Sequence, residues 1–364
     1  MKFECKSETL IIVVNSVSKA RSKQSNQTYL QDIHFELDDH ILTLRATNLE
    51  ISCEKSISVK GVYNGKCIIK GETLLKIIQS LQKQNESIMC ELIDGIFSII
   101  REKGVIELKT TPYEDFPTLP SQGELLGSIN TSIFLSLIRD VSFCAATTEI
   151  KPEIASVYIY TTDKQIISVS TDSYRLAEKV LDNTTQINIS ILIPQKHITD
   201  IMAIINEEQG DIVLYKNEGI ITCVSESGLT LCIHTTTGQF PDYKQLFPKT
   251  FTTTIQTQKE EIQKALTLTT YFTENYSQVT CVFTNNTLTV HSRNESIGQV
   301  TNTITTEQKG EDIEANYNNK YFLDVFSHSK GKSLQLSFTT PNKPVFIKST
   351  EDISFTYLLM PLTR

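Results

Sequence analysis

The heptapeptide Ser170-Thr171-Asp172-Ser173-Tyr174-Arg175-Leu176 brings hydroxyls, a carboxylate and a guanidinium within a few positions. Acid–base and phosphoryl-transfer sites are built from such groups. The same residues also fit a strand end, with Thr171 and Asp172 closing a turn, Tyr174 and Leu176 packing inward and Arg175 covering the edge. Other candidates for chemistry fail on spacing. Gly61 and Gly65 in GVYNGKC stand one residue too close for a phosphate loop, and Cys67 occupies the place of the magnesium-binding hydroxyl. Histidines 34, 40, 197, 234, 291 and 328 form no HExxH pair or metal-ligand spacing, and no G-x-S-x-G supplies a nucleophile elbow. Asp38 and Asp39 are adjacent but sit where a hairpin turns. No catalytic residue, metal or cofactor is expected.

The elements that must hold the heptapeptide recur. ILTLRATNLEI from 41, IISVSTDSYRL from 166 and LTVHSRNESI from 288 each read as an alternating strand that runs into a polar corner. Asn48, Asp172 and Asn294 mark those corners, 124 and 122 residues apart. Each corner follows a hairpin, HFELDDHILTL, YIYTTDKQIISV or VFTNNTLTV, with turn residues between period-two runs. Pro117 and Pro241 are also 124 apart. Apolar residues at helical spacing fall at 8–20, 130–143 and 257–272, and again about 60 residues later at 70–83, 194–206 and 317–330. The spacing predicts three tandem units, 1–125, 126–250 and 251–364, each an α+β domain of antiparallel strands with two helices on one face.

A chain of 364 residues calls for more than one core, and 39% apolar residues suffice to build them. The eight cysteines lie in strand-like runs without a CxxC pair and read as buried free thiols. The apolar run of MKFECKSETLIIVV is too short for a signal-peptide core, and no run approaches the roughly 20 residues of a membrane helix. A cytoplasmic protein without membrane contact is expected.

Four motifs, in order along this repeat, resemble the bacterial DNA polymerase III β subunit family, the sliding clamps. TDSYRL is similar to the family's T-D-G-H-R-L corner, FPDYKQLFPK to its F-P-D-Y-x-x-x-x-P-K, YNNKYFLDVF to its F-N-x-x-Y-x-x-D-x-L helix, and TYLLMPLTR to its C-terminal Y-x-x-M-P-x-R-x. The resemblance spans the chain. It implies a homodimer of six domains closed head to tail around duplex DNA, held without regard to base sequence, with helices inside and sheets outside. It implies as partners the replicative polymerase α subunit, the clamp loader and other proteins with clamp-binding motifs. These would dock in a pocket between the second and third domains formed by Ile154, Thr171, Ser173, Tyr174, Arg175, Leu176, Pro241, Leu246, Asn342, Leu358, Met360, Pro361 and Leu362. Apolar walls with Met360 for adaptability and a few polar groups suit such a pocket. The resemblance places the dimer interface at Ile106 and Leu108 against Tyr271 and Phe272, and DNA contacts at Arg21, Lys23, Lys196 and Lys320. This chain departs from the family pattern at Ser173 (Gly), Asn342 (apolar), Gln245 (Arg) and Thr363 (Arg), and QTYLQ replaces T-L-P-I-L.

The net charge of −8 argues on its face against nucleic acid, but its distribution matters more. Residues 8–23, 70–83 and 317–332 each carry an excess of two positive charges, and the other three helical stretches balance to zero. A mildly basic lining within an acidic shell suits sliding on phosphates without gripping them. The rival expectations are a diverged clamp-like scaffold that binds peptides without encircling DNA, and a hydrolase with an unrecognised site.

Overall fold

The computed structural model describes residues 1–81, 86–111, 116–273 and 277–362. Six α-helices fall among the described residues: α1 (Ser7–Ser18), α2 (Gly71–Leu81), α3 (Thr131–Arg139), α4 (Ile198–Ile205), α5 (Lys259–Thr269) and α6 (Asn319–His328). They stand two to a repeat, each slightly shorter than its sequence pattern. In α2, Leu74, Ile78 and Leu81 recur at helical spacing and are buried. Asn318 starts α6 by accepting the backbone N–H groups of Lys320 and Tyr321, which would otherwise lack partners.

The repeat is visible in individual hydrogen bonds. The Asn48 side-chain oxygen accepts the N–H groups of Glu50 and Ile51. Asp172 accepts those of Tyr174 and Arg175, and Asn294 those of Ser296 and Ile297. An Asx side chain that takes the place of a backbone acceptor is what makes the strand turn at each corner. In the third hairpin Asn285 and Asn286 both take positive φ, 49° and 58°, as a type I′ turn requires.

Two compact units are resolved. The first comprises 1–135, 185–188 and 196–235, and the second 136–184, 189–195 and 236–364. They do not coincide with the repeats, because sheets run across repeat boundaries. In the first unit one sheet of 13 strands is continuous because Ile51–Ser58, leaving the first corner, pairs with Leu229–His234, the last strand of the second repeat. The His234 N–H donates to the Glu50 carbonyl at 2.8 Å. In the second unit a nine-stranded sheet is joined in the same way. Arg175–Asp182, leaving the second corner, pairs with Phe355–Leu359, the last strand of the third repeat, and the Met360 N–H donates to the Tyr174 carbonyl at 2.9 Å. Two strands lack the corresponding partner among the described residues. Gly298–Thr305, leaving the third corner, is the edge of a separate four-stranded sheet. Gly104–Thr111, the last strand of the first repeat, pairs fully with Ile96–Arg101 but meets Gly65–Ile69 only at Thr110 and Thr111.

The cores are apolar, with Phe3, Phe35 and Phe97 fully buried in the first unit and Phe283, Phe322 and Tyr357 in the second. All eight cysteines are free and all but Cys5 are buried. Burial pushes the Cys67 and Cys223 thiols up to about 12, leaving them protonated and unreactive. The first unit also buries an ion pair between Lys55 and Glu208.

Candidate ligand-binding cleft

The Thr171–Leu176 corner consumes its own reactive groups. The Thr171 hydroxyl donates to the Arg175 carbonyl at 2.7 Å and accepts the Ser173 N–H at 3.1 Å. One Asp172 oxygen accepts two backbone N–H groups, and the other accepts the Arg175 Nε at 3.0 Å. Arg175 completes its fork with Asp324 of α6 and, at 2.9 Å, the Phe143 carbonyl. Its guanidinium lies 4.3 Å from the Tyr321 ring centre and 5.6 Å from that of Phe143, with only 12% of the side chain exposed. The carboxylate and guanidinium are thus structural, and no acid–base pair is left to act on a substrate.

The turn forces Ser173 to φ +77°, a conformation that suits glycine better than an L-residue. Ser173→Gly relieves about 1 kcal/mol of strain and gives back part of it as unfolded-chain entropy. A net gain of about 0.5 kcal/mol in urea unfolding is expected, and a loss would show that the serine side chain does more for the turn than strain it.

Beside the corner opens a cleft of about 290 Å³, lined by Ile154, Thr171, Ser173, Arg175, Leu176, Pro241, Asp242, Tyr243, Leu246, Pro344, Leu358 and Met360. Beneath it Val169, Leu176, Leu192, Phe240, Tyr243, Phe346 and Leu358 form one buried cluster. Its floor is pinned by a polar knot: the Tyr243 hydroxyl donates to buried Glu178 at 2.5 Å and lies 2.8 Å from the Tyr160 hydroxyl, and Lys244 also pairs with Glu178. Burial first, and then the Glu178 charge, push the Tyr243 hydroxyl far above the ordinary tyrosine pKa, so it remains a donor. A rigid apolar trough with few polar groups can hold apolar side chains and do no covalent chemistry on them.

Nine of the thirteen residues assigned to the pocket from the sequence line this cleft. Tyr174 does not, and its side chain stands outward, 62% exposed. It contributes its carbonyl instead, to Met360. Asn342, Pro361 and Leu362 line a neighbouring cavity of about 550 Å³ with Glu314, Ala315, Asn316 and Pro341. The terminal segment forms a strap: Met360 binds the corner, and the Leu362 N–H donates to the Asn316 carbonyl at 2.7 Å, on the open edge of Ile313–Asn318. Thr363 lies outside the described residues. Asp242 and Tyr243 were within reach of the sequence, since both belong to the FPDYKQLFPK motif, whereas Pro344 carried no signal.

The other assigned residues lie elsewhere. Ile106 and Leu108 occupy the open part of Gly104–Thr111. Phe272 lies 4.0 Å from where a Cβ on Gly298 would project, at the start of the other open strand, and Tyr271 beside it is exposed. Among the basic residues, Lys320 is exposed on the first turn of α6, and Lys23 is 82% exposed with Asp200 3.9 Å away. Lys196 is held by Glu50 at 2.7 Å. Arg21 packs beside Gly71, with its Nε buried.

Family models match nearly the whole chain in three consecutive segments. They are those of the DNA polymerase III beta subunit N-terminal domain at residues 1–120, its central domain at 128–242 and its C-terminal domain at 244–363. The Bacillus subtilis beta sliding clamp is 24% identical over all of this chain and 99% of its own. The DNA polymerase beta subunit of Streptococcus pyogenes superposes with a TM-score of 0.94 at 20% identity, covering both chains completely. A Pseudomonas aeruginosa sliding clamp solved bound to griselimycin superposes at 0.93, also at 20% identity and with both chains covered. Among the described residues no helix is long and apolar enough to cross a membrane. With all three domain models matched in order, the chain belongs to the DNA polymerase III beta subunit family, the sliding clamps.

Proposed function

We propose that this processivity factor works as a homodimeric ring of six domains, with boundaries near 125 and 250, that encircles duplex DNA and tethers its partners through the Thr171–Leu176 cleft. The observation that carries the ring is the pair of open strands. Twice within the chain, the strand leaving a corner is covered by the last strand of the following repeat. Among the described residues only Gly298–Thr305 and Gly104–Lys109 lack that cover, and each is what the other needs. They can meet between two copies, head to tail, and so close the structure. Ile106 and Leu108 would then approach Tyr271 and Phe272, next to a cavity of about 410 Å³ between α5 and the open strand. Changing Leu108 and Phe272 together to charged residues should yield a folded monomer that slides off DNA. Retention on nicked circular DNA, lost on linearisation, tests the ring, and an intact dimer for the double variant at low micromolar concentration would displace this interface.

Encircling DNA and tethering partners requires no catalysis, and the protein acts in the cytoplasm with a clamp loader to open the ring. Phosphate contacts from Arg21, Lys23, Lys196 and Lys320 would hold DNA loosely and independently of sequence. The cleft would receive short apolar peptides from the polymerase α subunit and other partners, and the griselimycin complex of a related clamp is in keeping with ligand binding by this family. Deleting Met360 to Arg364 removes the strap and one wall, so peptide affinity measured by fluorescence anisotropy should fall at least about tenfold, roughly 1.4 kcal/mol. DNA retention should persist. Unchanged peptide affinity would mean that the ligand sits elsewhere.

A further inference from the structure

The charge of the cleft distinguishes among the ligands it could take. We propose, given that the cleft binds apolar peptides, that it selects peptides bearing lysine or arginine beside their apolar residues and discriminates against acidic ones. Arg175 is the one basic residue that lines either the cleft or the neighbouring cavity among the described residues. Most of its donor capacity is already committed, which leaves little for a ligand carboxylate. Its three nitrogens already face Asp172, Asp324 and the Phe143 carbonyl, and aromatic rings flank it. Two carboxylates against one guanidinium leave that group of charges net negative. Lys244 is likewise engaged, paired with Glu178 and lying within 4.9 and 5.2 Å of the Tyr243 and Phe247 ring centres. Lys343 neighbours lining residues in the sequence but lines neither cavity.

The opposite holds for the acids. Asp242 lines the cleft, is exposed, and binds only the neutral Gln245 amide at 2.8 Å. Glu314, the charged residue of the neighbouring cavity, is exposed as well. Neither has a cationic partner among the described residues, so both fields face whatever occupies the trough. The two cavities lie along one strip, because Met360 lines one while Pro361 and Leu362 line the other. A peptide laid along the strap would therefore pass both carboxylates while its apolar side chains enter the trough. Exposed pairs of this kind are individually weak and screened by salt, which makes them a selectivity device rather than the main source of affinity.

The test uses two labelled hexapeptides with the same two leucines and phenylalanine, one completed with lysines and the other with glutamates. They are titrated into the full-length protein by fluorescence anisotropy at low and high salt. The lysine peptide should bind about fivefold tighter at low salt, with the preference shrinking to under twofold at high salt. The double variant Asp242→Asn/Glu314→Gln changes only exposed side chains and should abolish the preference while leaving the glutamate peptide's affinity equal or improved. Equal or tighter binding of the glutamate peptide to the unmodified protein overturns the proposal and leaves the cleft a peptide site. A preference that survives the double variant overturns its assignment to these carboxylates. Failure of both peptides to bind overturns the peptide-binding reading itself, and this proposal with it.

Discussion

Replacing Arg175 with methionine should destabilise the protein by about 3 kcal/mol in urea unfolding. Methionine fills most of the volume between Phe143 and Tyr321, so the loss is electrostatic rather than a cavity. Removing one member of a buried charge cluster strands the others, at a typical cost of about 3–5 kcal/mol. The low end applies because Asp324 is 45% exposed and can be rehydrated, whereas Asp172 is 14% exposed and cannot be to the same degree. Asp172 would still hold the turn through the Tyr174 and Arg175 N–H groups, so the corner should survive as a local structure. Arg175→Lys should recover less than half of the loss. A single ammonium cannot span Asp172, Asp324 and the Phe143 carbonyl, which the planar fork reaches together. A deficit below 1 kcal/mol for the methionine variant would show that the network contributes little to folding.

That network marks where the sequence stopped being legible. The turn was readable, since Thr171 and Asp172 are suited to closing a corner and the same residue class recurs at Asn48 and Asn294. The spacing also located the six helices among the described residues and the hairpins, because period-two and period-3.6 patterns are local properties of a chain. What periodicity cannot encode is which distant residue answers a charge. Asp324 lies 149 residues from Arg175 and reaches it only because α6 of the third repeat packs beside the corner of the second. The same limit conceals how far Arg175, which does line the cleft, is engaged by its neighbours, and that the Tyr174 side chain stands outward. It also hid the pairing of Lys196 with Glu50, which the sequence presented only as a positive charge near a helix start. The cleft itself was largely legible because its walls come from three compact motifs, each short enough to be seen whole. The compact units were not, because the strand pairings that fuse neighbouring repeats join residues almost two hundred positions apart.

The joint in the first unit supplies the other large effect. In the first unit, Lys55 on the strand leaving the first corner meets Glu208 just beyond α4, with side chains 7% and 0% exposed. The Ser225 and Ser227 hydroxyls also donate to Glu208. Burial alone would push the Glu208 carboxyl up, but the bonds from Lys55, Ser225 and Ser227 outweigh it and hold the pKa below the ordinary 4.5. A folded-state pKa depressed in this way means that the group's contribution is fully present above about pH 4.5 and is lost as pH falls through the folded value. Lys55→Met removes the main counter-charge and leaves an anion with no access to water, so a loss of about 3–5 kcal/mol is expected at pH 7. The pH dependence should then invert locally. Without Lys55, burial dominates, the folded-state pKa rises above 4.5, and protonation relieves the buried charge. The variant's deficit relative to the unmodified protein should therefore narrow as pH falls from 7 toward 4.5. The double variant Lys55→Met/Glu208→Leu should recover most of the stability, since an apolar pair of similar volume replaces the ion pair and the two serine hydroxyls, 3.0 Å apart, can bond to each other. Urea unfolding of the three proteins at the two pH values separates the outcomes. A deficit that stays constant with pH would mean that Glu208 is hydrated once Lys55 is gone, and that this joint between the first two repeats is held by its strand pairing alone.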